Sequence, residues 1–232
     1  MKILLLILVL CSPAVTGSAR ADSDPAATQV LTTPTAQTLG EGDLRVANTM
    51  LTLTQFNYGL TDNLQLGVQT VYLFWSGMDL KYRFFQSERI EASVLAGGGL
   101  LMVDARTHSL YARPVVTFLV REREGREPIR LSIGASAVYN GTQGASGPVM
   151  NGFLSGELPL GPGVKLMGEI NYVYDSERTF PGDLRQWTAG TLGARFYRQR
   201  VAVDAGLFIP FNEDLLGAEV VGIPLLSLSY LF

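Results

Sequence analysis

The stretch VKLMGEINYVY, Val164 to Tyr174, decides the fold class. Val164, Leu166, Gly168, Ile170, Tyr172 and Tyr174 fall on one face of an extended chain, and Lys165, Met167, Glu169, Asn171 and Val173 on the other. Successive side chains of a strand point to opposite sides, so a period of two means a strand with two unlike faces. One face here is apolar with aromatics at its end, while the other carries both charges. A strand crossing a bilayer needs about 9–11 residues with alternate positions facing lipid.

The same pattern recurs. At 64–75, Leu64, Leu66, Val68, Thr70, Tyr72 and Phe74 oppose Gln65, Gly67 and Gln69. At 129–139, Ile129, Leu131, Ile133 and Tyr139 oppose Arg130, Ser132, Gly134 and Ser136, and at 201–211, Val201, Val203, Leu207, Ile209 and Phe211 oppose Ala202, Asp204 and Gly206. Turn-forming clusters such as 59–63, 86–89, 123–126 and 161–163 separate the runs. Eleven strands are legible: 44–58, 64–75, 77–86, 89–104, 109–123, 128–141, 149–159, 163–175, 184–198, 201–211 and 221–232. A bacterial single-chain barrel takes an even number. The residues offer 28–39, TQVLTTPTAQTL, as the candidate for the missing strand, with Pro34 tolerable at an edge or a strand end, and leave open whether 22–39 form a strand or enter the lumen. The expected fold is therefore all-β, an up-and-down antiparallel transmembrane β-barrel of about 12 strands, with 10 as the alternative count.

Short periplasmic turns should alternate with longer external loops. Counting back from the C-terminus puts 142–148, 176–183 and 212–220 outside, with shorter external connections at 40–43, 75–77 and 105–108. It puts 59–63, 87–88, 124–127, 160–162 and 199–200 on the periplasmic side. With strands so directed, Tyr72, Phe74, Tyr139, Tyr172, Tyr174 and Phe211 form one outward aromatic girdle. Tyr82, Phe84, Phe118, Phe196, Tyr230 and Phe232 form the other.

The start of the chain bears on its destination. Lys2 precedes the apolar run Ile3 to Leu10, and Ala19-Arg20-Ala21 supplies small residues at a cleavage position, the three parts of a secretory signal peptide. The expected domains are a signal peptide at 1–21 and a barrel at 22–232. Cys11, the only cysteine, follows Leu10 where lipidation requires a small residue. Its removal with the leader leaves no disulfide, metal-thiolate or cysteine nucleophile. Loss of Lys2 and Arg20 takes the net charge from −3 to −5, which disfavours a nucleic-acid partner. Mean hydropathy is +0.21 without a mature run long enough for a spanning helix. A closed barrel solves that combination.

The final residues 225–232, LLSLSYLF, resemble the C-terminal signature of Gram-negative outer-membrane β-barrel proteins, with Leu226, Leu228, Tyr230 and Phe232 at alternate positions. The resemblance implies recognition by the barrel-assembly machinery and residence among outer-membrane lipids. The segments TPTAQTLGEGDLRV at 33–46 and NYGLTDNLQLGV at 57–68 are similar to a family of outer-membrane transporters of the meta-pathway phenol-degradation type. No functional residue transfers from that likeness.

Barrel enzymes that modify lipids pair serine with histidine. The lone His108 adjoins Ser109, but neighbours on a strand face opposite ways, so no catalytic residue is assigned. Gly97-Gly98-Gly99 has no helix behind it to receive a phosphate, and marks instead a close approach in a strand. No metal or cofactor is expected. The alternation aims Asp79, Lys81, Arg83, Glu91, Arg113, Arg121, Arg130, Glu157, Lys165, Glu169, Arg185, Arg195 and Asp204 into the lumen. They could close it by pairing or line a narrow path biased to anions by Lys81, Arg83, Arg113 and Arg130. The expected function is passive or weakly selective passage of small solutes. A closed structural or surface-interaction barrel is the alternative, and a lipid-modifying enzyme stands third.

Overall fold

The computed structural model describes residues 24–71, 75–101, 108–120, 127–142, 145–175, 186–211 and 222–232. Among them are twelve strands: β1 (Leu44–Thr49), β2 (Leu53–Thr61), β3 (Leu64–Val71), β4 (Trp75–Gln86), β5 (Ile90–Leu101), β6 (His108–Val120), β7 (Ile129–Thr142), β8 (Ala145–Gly161), β9 (Val164–Asp175), β10 (Gln186–Arg198), β11 (Val201–Pro210) and β12 (Ile223–Leu231). Each pairs antiparallel with its sequence neighbours, and β1 pairs with β12, so the sheet closes. Closure leaves no edge whose backbone groups would face lipid unpaired.

The two faces separate as the period of two requires. On β9, Lys165, Met167, Glu169 and Val173 are buried inside, whereas Leu166, Ile170, Tyr172 and Tyr174 are exposed outside. Ile133, Leu154, Leu192, Leu207 and Leu226 continue the outer apolar band. Tyr139, Tyr172, Tyr174 and Phe211 are exposed in its upper girdle, and Tyr82, Phe84, Phe118, Phe196 and Tyr230 in its lower one, the end that carries Leu44 and Phe232. Tyr72 and Phe74 lie outside the described residues. A register shift between Arg83 and Phe85 turns Phe84 and Phe85 outward together.

Twelve strands are reached by a different route from the one expected. Residues 28–39 add no strand to the barrel; their only β-pairing is the isolated bridge between Gln29 and Pro34. The segment expected as one strand at 44–58 is two, β1 and β2, reversing over residues 50–52. Met50 and Leu51 take left-handed backbone there, with φ of 55° and 59°, and the Thr52 amide donates to the Thr49 carbonyl at 3.1 Å. Glycine, asparagine and aspartate favour such φ values, and none is present, so the turn had no sequence signal.

Two connections also move. The Gly42 amide bonds the Gly59 carbonyl, and the Gly59 amide bonds the Asp43 carbonyl, both at 2.9 Å. Residues 40–43 therefore sit beside the β2–β3 turn at the lower end, not outside. The expected loop 142–148 is a tight hairpin, since Thr142 pairs with Ala145. The loops at 176–183 and 212–220 fall outside the described residues, as do 102–107 and the leader.

β12 closes the seam between β11 and β1. Leu226, Leu228 and Tyr230 face outward, and Ser227, Ser229 and Leu231 inward. The Phe232 amide donates to the Leu44 carbonyl at 2.8 Å, and the Phe232 ring packs on Tyr230 at 4.6 Å between centroids. Deleting Phe232 should therefore reduce the heat-modifiable, folded fraction recovered from membranes. Unchanged migration and yield on gels would contradict this role for the seam.

Candidate functional site: a lumen partly filled by its own chain

Residues 24–39 lie inside the barrel. Pro34 cannot donate to a ladder, and the chain folds back on itself instead: the Val30 amide bonds the Thr33 carbonyl at 2.8 Å and the Thr35 amide bonds the Thr28 carbonyl at 3.1 Å. Ala26, Val30, Leu31, Thr35, Ala36 and Leu39 are buried. Irregular backbone at membrane depth needs partners for its amides and carbonyls, and the barrel wall supplies them. Glu169 accepts from the Thr32 amide (2.8 Å) and hydroxyl (2.5 Å) and from the Thr33 amide and hydroxyl (both 2.9 Å). Arg195 donates to the carbonyls of Ala26, Gln29 and Val30, each at 2.9 Å. Arg45 donates to Thr28 Oγ1 at 2.6 Å and Gln29 Oε1 at 2.9 Å, and Lys81 to the Thr28 carbonyl at 3.3 Å. Further along, the Ala36 amide bonds Thr117 Oγ1 at 2.9 Å and the Leu39 amide bonds Gln65 Oε1 at 3.2 Å.

Charge holds the same segment. Asp24 Oδ2 lies 2.7 Å from Lys165 Nζ and 3.0 Å from Arg195 Nη1. Arg195 also grips Asp204 through two contacts, at 2.7 and 3.0 Å. Lys165 reaches Glu127 at 2.8 Å and Glu157 at 3.5 Å, and Glu157 pairs with Arg130 at 3.1 Å. Burial alone would raise the Asp24 carboxyl's pKa, but Arg195 and Lys165 together outweigh it and hold the group well below the usual carboxylate range. Asp24 therefore stays ionised and the network stays balanced.

The residues expected in the lumen divide into two groups. Lys81, Arg83, Glu91, Arg130, Glu157, Lys165, Glu169, Arg195 and Asp204 are engaged with one another or with residues 24–39; Arg83 pairs with Glu91 at 3.6 Å. Asp79 and Arg113 stand apart from that network, on β4 and β6. Arg121 and Arg185 lie outside the described residues. Asp24, Thr28, Thr32, Thr33, Arg45 and Glu127 complete the network and were not singled out by their pattern. The only signal for the three threonines was the threonine-rich run around Pro34, which reads equally well as a strand.

The filling is one-sided. Most inward residues of β8 to β11, among them Ser155, Glu157, Lys165, Glu169, Thr191, Arg195 and Asp204, are buried, whereas Gln69, Trp75, Asp79, Leu95, Tyr111 and Arg113 of β3 to β6 are half-buried. Nearer the lower end of those strands, Lys81, Ser93, Val115 and Thr117 are buried again. The open space is thus a vestibule along the upper parts of β3 to β6, floored by residues 24–39. Gly97 and Gly99 shape its wall: the Tyr111 hydroxyl and the Trp75 ring occupy the space that a Cβ at these positions would need. Tyr111 Oη accepts from Gln69 Nε2 at 3.0 Å and donates to Asp79 at 3.4 Å. His108 is exposed on the outer face with its ring against Gly141, and Ser109 faces the other way.

No family model and no curated protein matches the sequence. Among solved structures, the barrel is similar to the NanC porin, with a TM-score of 0.52 at 5% identity over 82% of this chain and 97% of that one. It is also similar to an outer membrane channel from Pseudomonas putida F1, with a TM-score of 0.50 at 13% identity over 90% and 98% of the two chains. The chain folds as an outer-membrane β-barrel.

Removing one partner of a buried ion pair costs about 3–5 kcal/mol, because the charges left behind are uncompensated. Asp24→Asn should lower the barrel's resistance to denaturant by an amount of that order, while replacement of the more exposed Thr38 should change it by under about 0.5 kcal/mol. Because folding depresses the Asp24 pKa, its contribution is complete above the unfolded value near 3.9 and is lost only as pH falls through the lower folded value. The stability difference between wild type and Asp24→Asn in the same assay should therefore persist down to about pH 4. Equal stability of Asp24→Asn and wild type would contradict the network's role.

Proposed function

We propose that this barrel carries small hydrophilic solutes passively across the outer membrane, through a lumen that its own residues 24–39 narrow. The observation that carries the reading is the one-sided filling. The inserted segment packs on β8 to β11 and on the lower ends of β3, β4 and β6, while the upper parts of β3 to β6 keep polar and aromatic side chains half-buried. Lys81, Arg83 and Arg130 are engaged in pairs or with the inserted chain, so the anion bias that four cations could have produced rests on Arg113.

A leader cleaved after Ala21 is part of the same proposal; it would leave only Asp22 and Ser23 ahead of the buried Asp24. An uncut apolar leader would have to follow Asp24 into a polar lumen. The exposed outer band suits outer-membrane lipids, and the alternating face of β12 suits the assembly machinery as its partner. His108 gives a lipid-modifying enzyme no support, since its ring lies outside, away from Ser109. The buried floor favours a second reading, a permanently closed barrel.

Conductance separates the two. Residues 22–232, refolded into planar bilayers, should show small steady currents. Glu169→Gln removes the charge that receives the amides and hydroxyls of Thr32 and Thr33, and should raise the conductance or the opening frequency several-fold. Silence from both proteins, each shown to be folded, would overturn passage and leave the closed barrel.

A further inference from the structure

Every described inward cation except one has a partner. Arg45 and Lys81 bond the inserted segment, Arg83 pairs with Glu91, Arg130 with Glu157, Lys165 with Asp24, and Arg195 with Asp24 and Asp204. Arg113 makes no close ion pair or hydrogen bond among the described residues; Asp79 and Tyr111 act on it only at longer range, and its Nε is buried without a hydrogen bond. The neighbouring strands repeat the deficit. Ala112 pairs with Ala137 and Val115 with Gly134, which sets Arg113 opposite Ser136, and Ser136 pairs with Asn151. Ser136 Oγ and Asn151 Oδ1 are likewise buried without a hydrogen bond. Three adjacent inward residues, on β6, β7 and β8, thus hold polar atoms with nothing to satisfy them, beside the vestibule. Buried polar groups need partners from protein, water or ligand, and although other lumen atoms such as Ser93 Oγ and Thr191 Oγ1 also lack one, these three adjoin one another and a guanidinium free of close ion pairs.

We propose that Arg113 and Ser136 bind the carboxylate of a small organic monoanion, with Trp75 and Tyr111 flanking its apolar body. A guanidinium presents parallel N–H groups that match the two oxygens of a carboxylate. Charge limits the ligand to a monoanion: the site offers one cation free of close ion pairs, and Asp79, held by Tyr111, acts on the same guanidinium from longer range. A second negative charge, as on phosphate, would meet repulsion with no cation to offset it. The aromatic flank follows from Gly97 and Gly99, which let Tyr111 and Trp75 lie close along the β4–β6 wall. The site rests on the passage reading only for its biological use; binding itself needs just the open vestibule.

The test is equilibrium binding to refolded residues 22–232 in detergent, read from tryptophan fluorescence with benzoate as probe. A Trp75→Phe variant assigns the signal to the vestibule rather than to Trp187. Wild type should show saturable quenching by benzoate, and none with benzyl alcohol or inorganic phosphate. Arg113→Gln should weaken benzoate at least tenfold, Arg113→Lys should recover part of that loss, and Ser136→Ala should weaken it several-fold. Heat-modifiable migration checks that each variant is folded. No saturable binding by folded wild type, equal affinity in Arg113→Gln, or equal saturation by phosphate would overturn the assignment. Binding by a barrel that conducts no current would keep the site and sink the passage reading, while current without binding would sink the site alone.

Discussion

The rest of the lumen depends on one buried guanidinium. Arg195 joins the wall residue Asp204, the inserted residue Asp24 and three backbone carbonyls of the inserted segment. A charge at this depth is costly to desolvate, and only an almost complete shell of acceptors offsets that cost. Both carboxylates of the shell and all three carbonyls are in place. The wall and the insert are therefore mutually dependent. Without the segment, Arg195 and Lys165 would lose Asp24 and Arg195 its three carbonyls; without Arg195, those carbonyls would be stranded, Asp204 would lose its ion pair, and Asp24 would be left with Lys165 alone.

This dependence explains the asymmetry of the interior. The segment lies where its acceptors find donors, against β8 to β11, and Glu169 takes up the amides at its bend. At their lower ends β3, β4 and β6 also hold the segment, through Gln65, Lys81 and Thr117, so only the upper parts of β3 to β6 are left with side chains that have no chain to hold. Large barrels leave open channels and eight-stranded ones fill with side chains. A barrel of twelve strands lies between, and here the intermediate volume is divided between an inserted segment and a vestibule.

The wall was legible in the sequence because lipid outside and polar interior impose opposite demands on alternate residues, and VKLMGEINYVY records both. The closing strand was legible for the same reason, in Leu226, Leu228 and Tyr230. The turn at Met50 and Leu51 was not, since neither residue advertises positive φ, and so two strands looked like one. That merging left a vacancy in the even count, and 28–39 seemed to fill it. Its threonines carry β-like composition because they serve a folded-back chain inside a sheet. The inward charges pointed to pairing or passage but could not show that many of their partners are backbone groups, which leave no side-chain signature.

The central claim is that residues 24–39 occupy the lumen, against the wall. The Ala36 amide sits 2.9 Å from Thr117 Oγ1, and residues 22–232 contain no native cysteine. Disulfide formation in an Ala36→Cys, Thr117→Cys double variant of the folded barrel is the most direct test. Rapid, near-complete cross-linking, absent from either single variant, is the predicted result. A fully folded double variant whose thiols both stay free under oxidising conditions would contradict it.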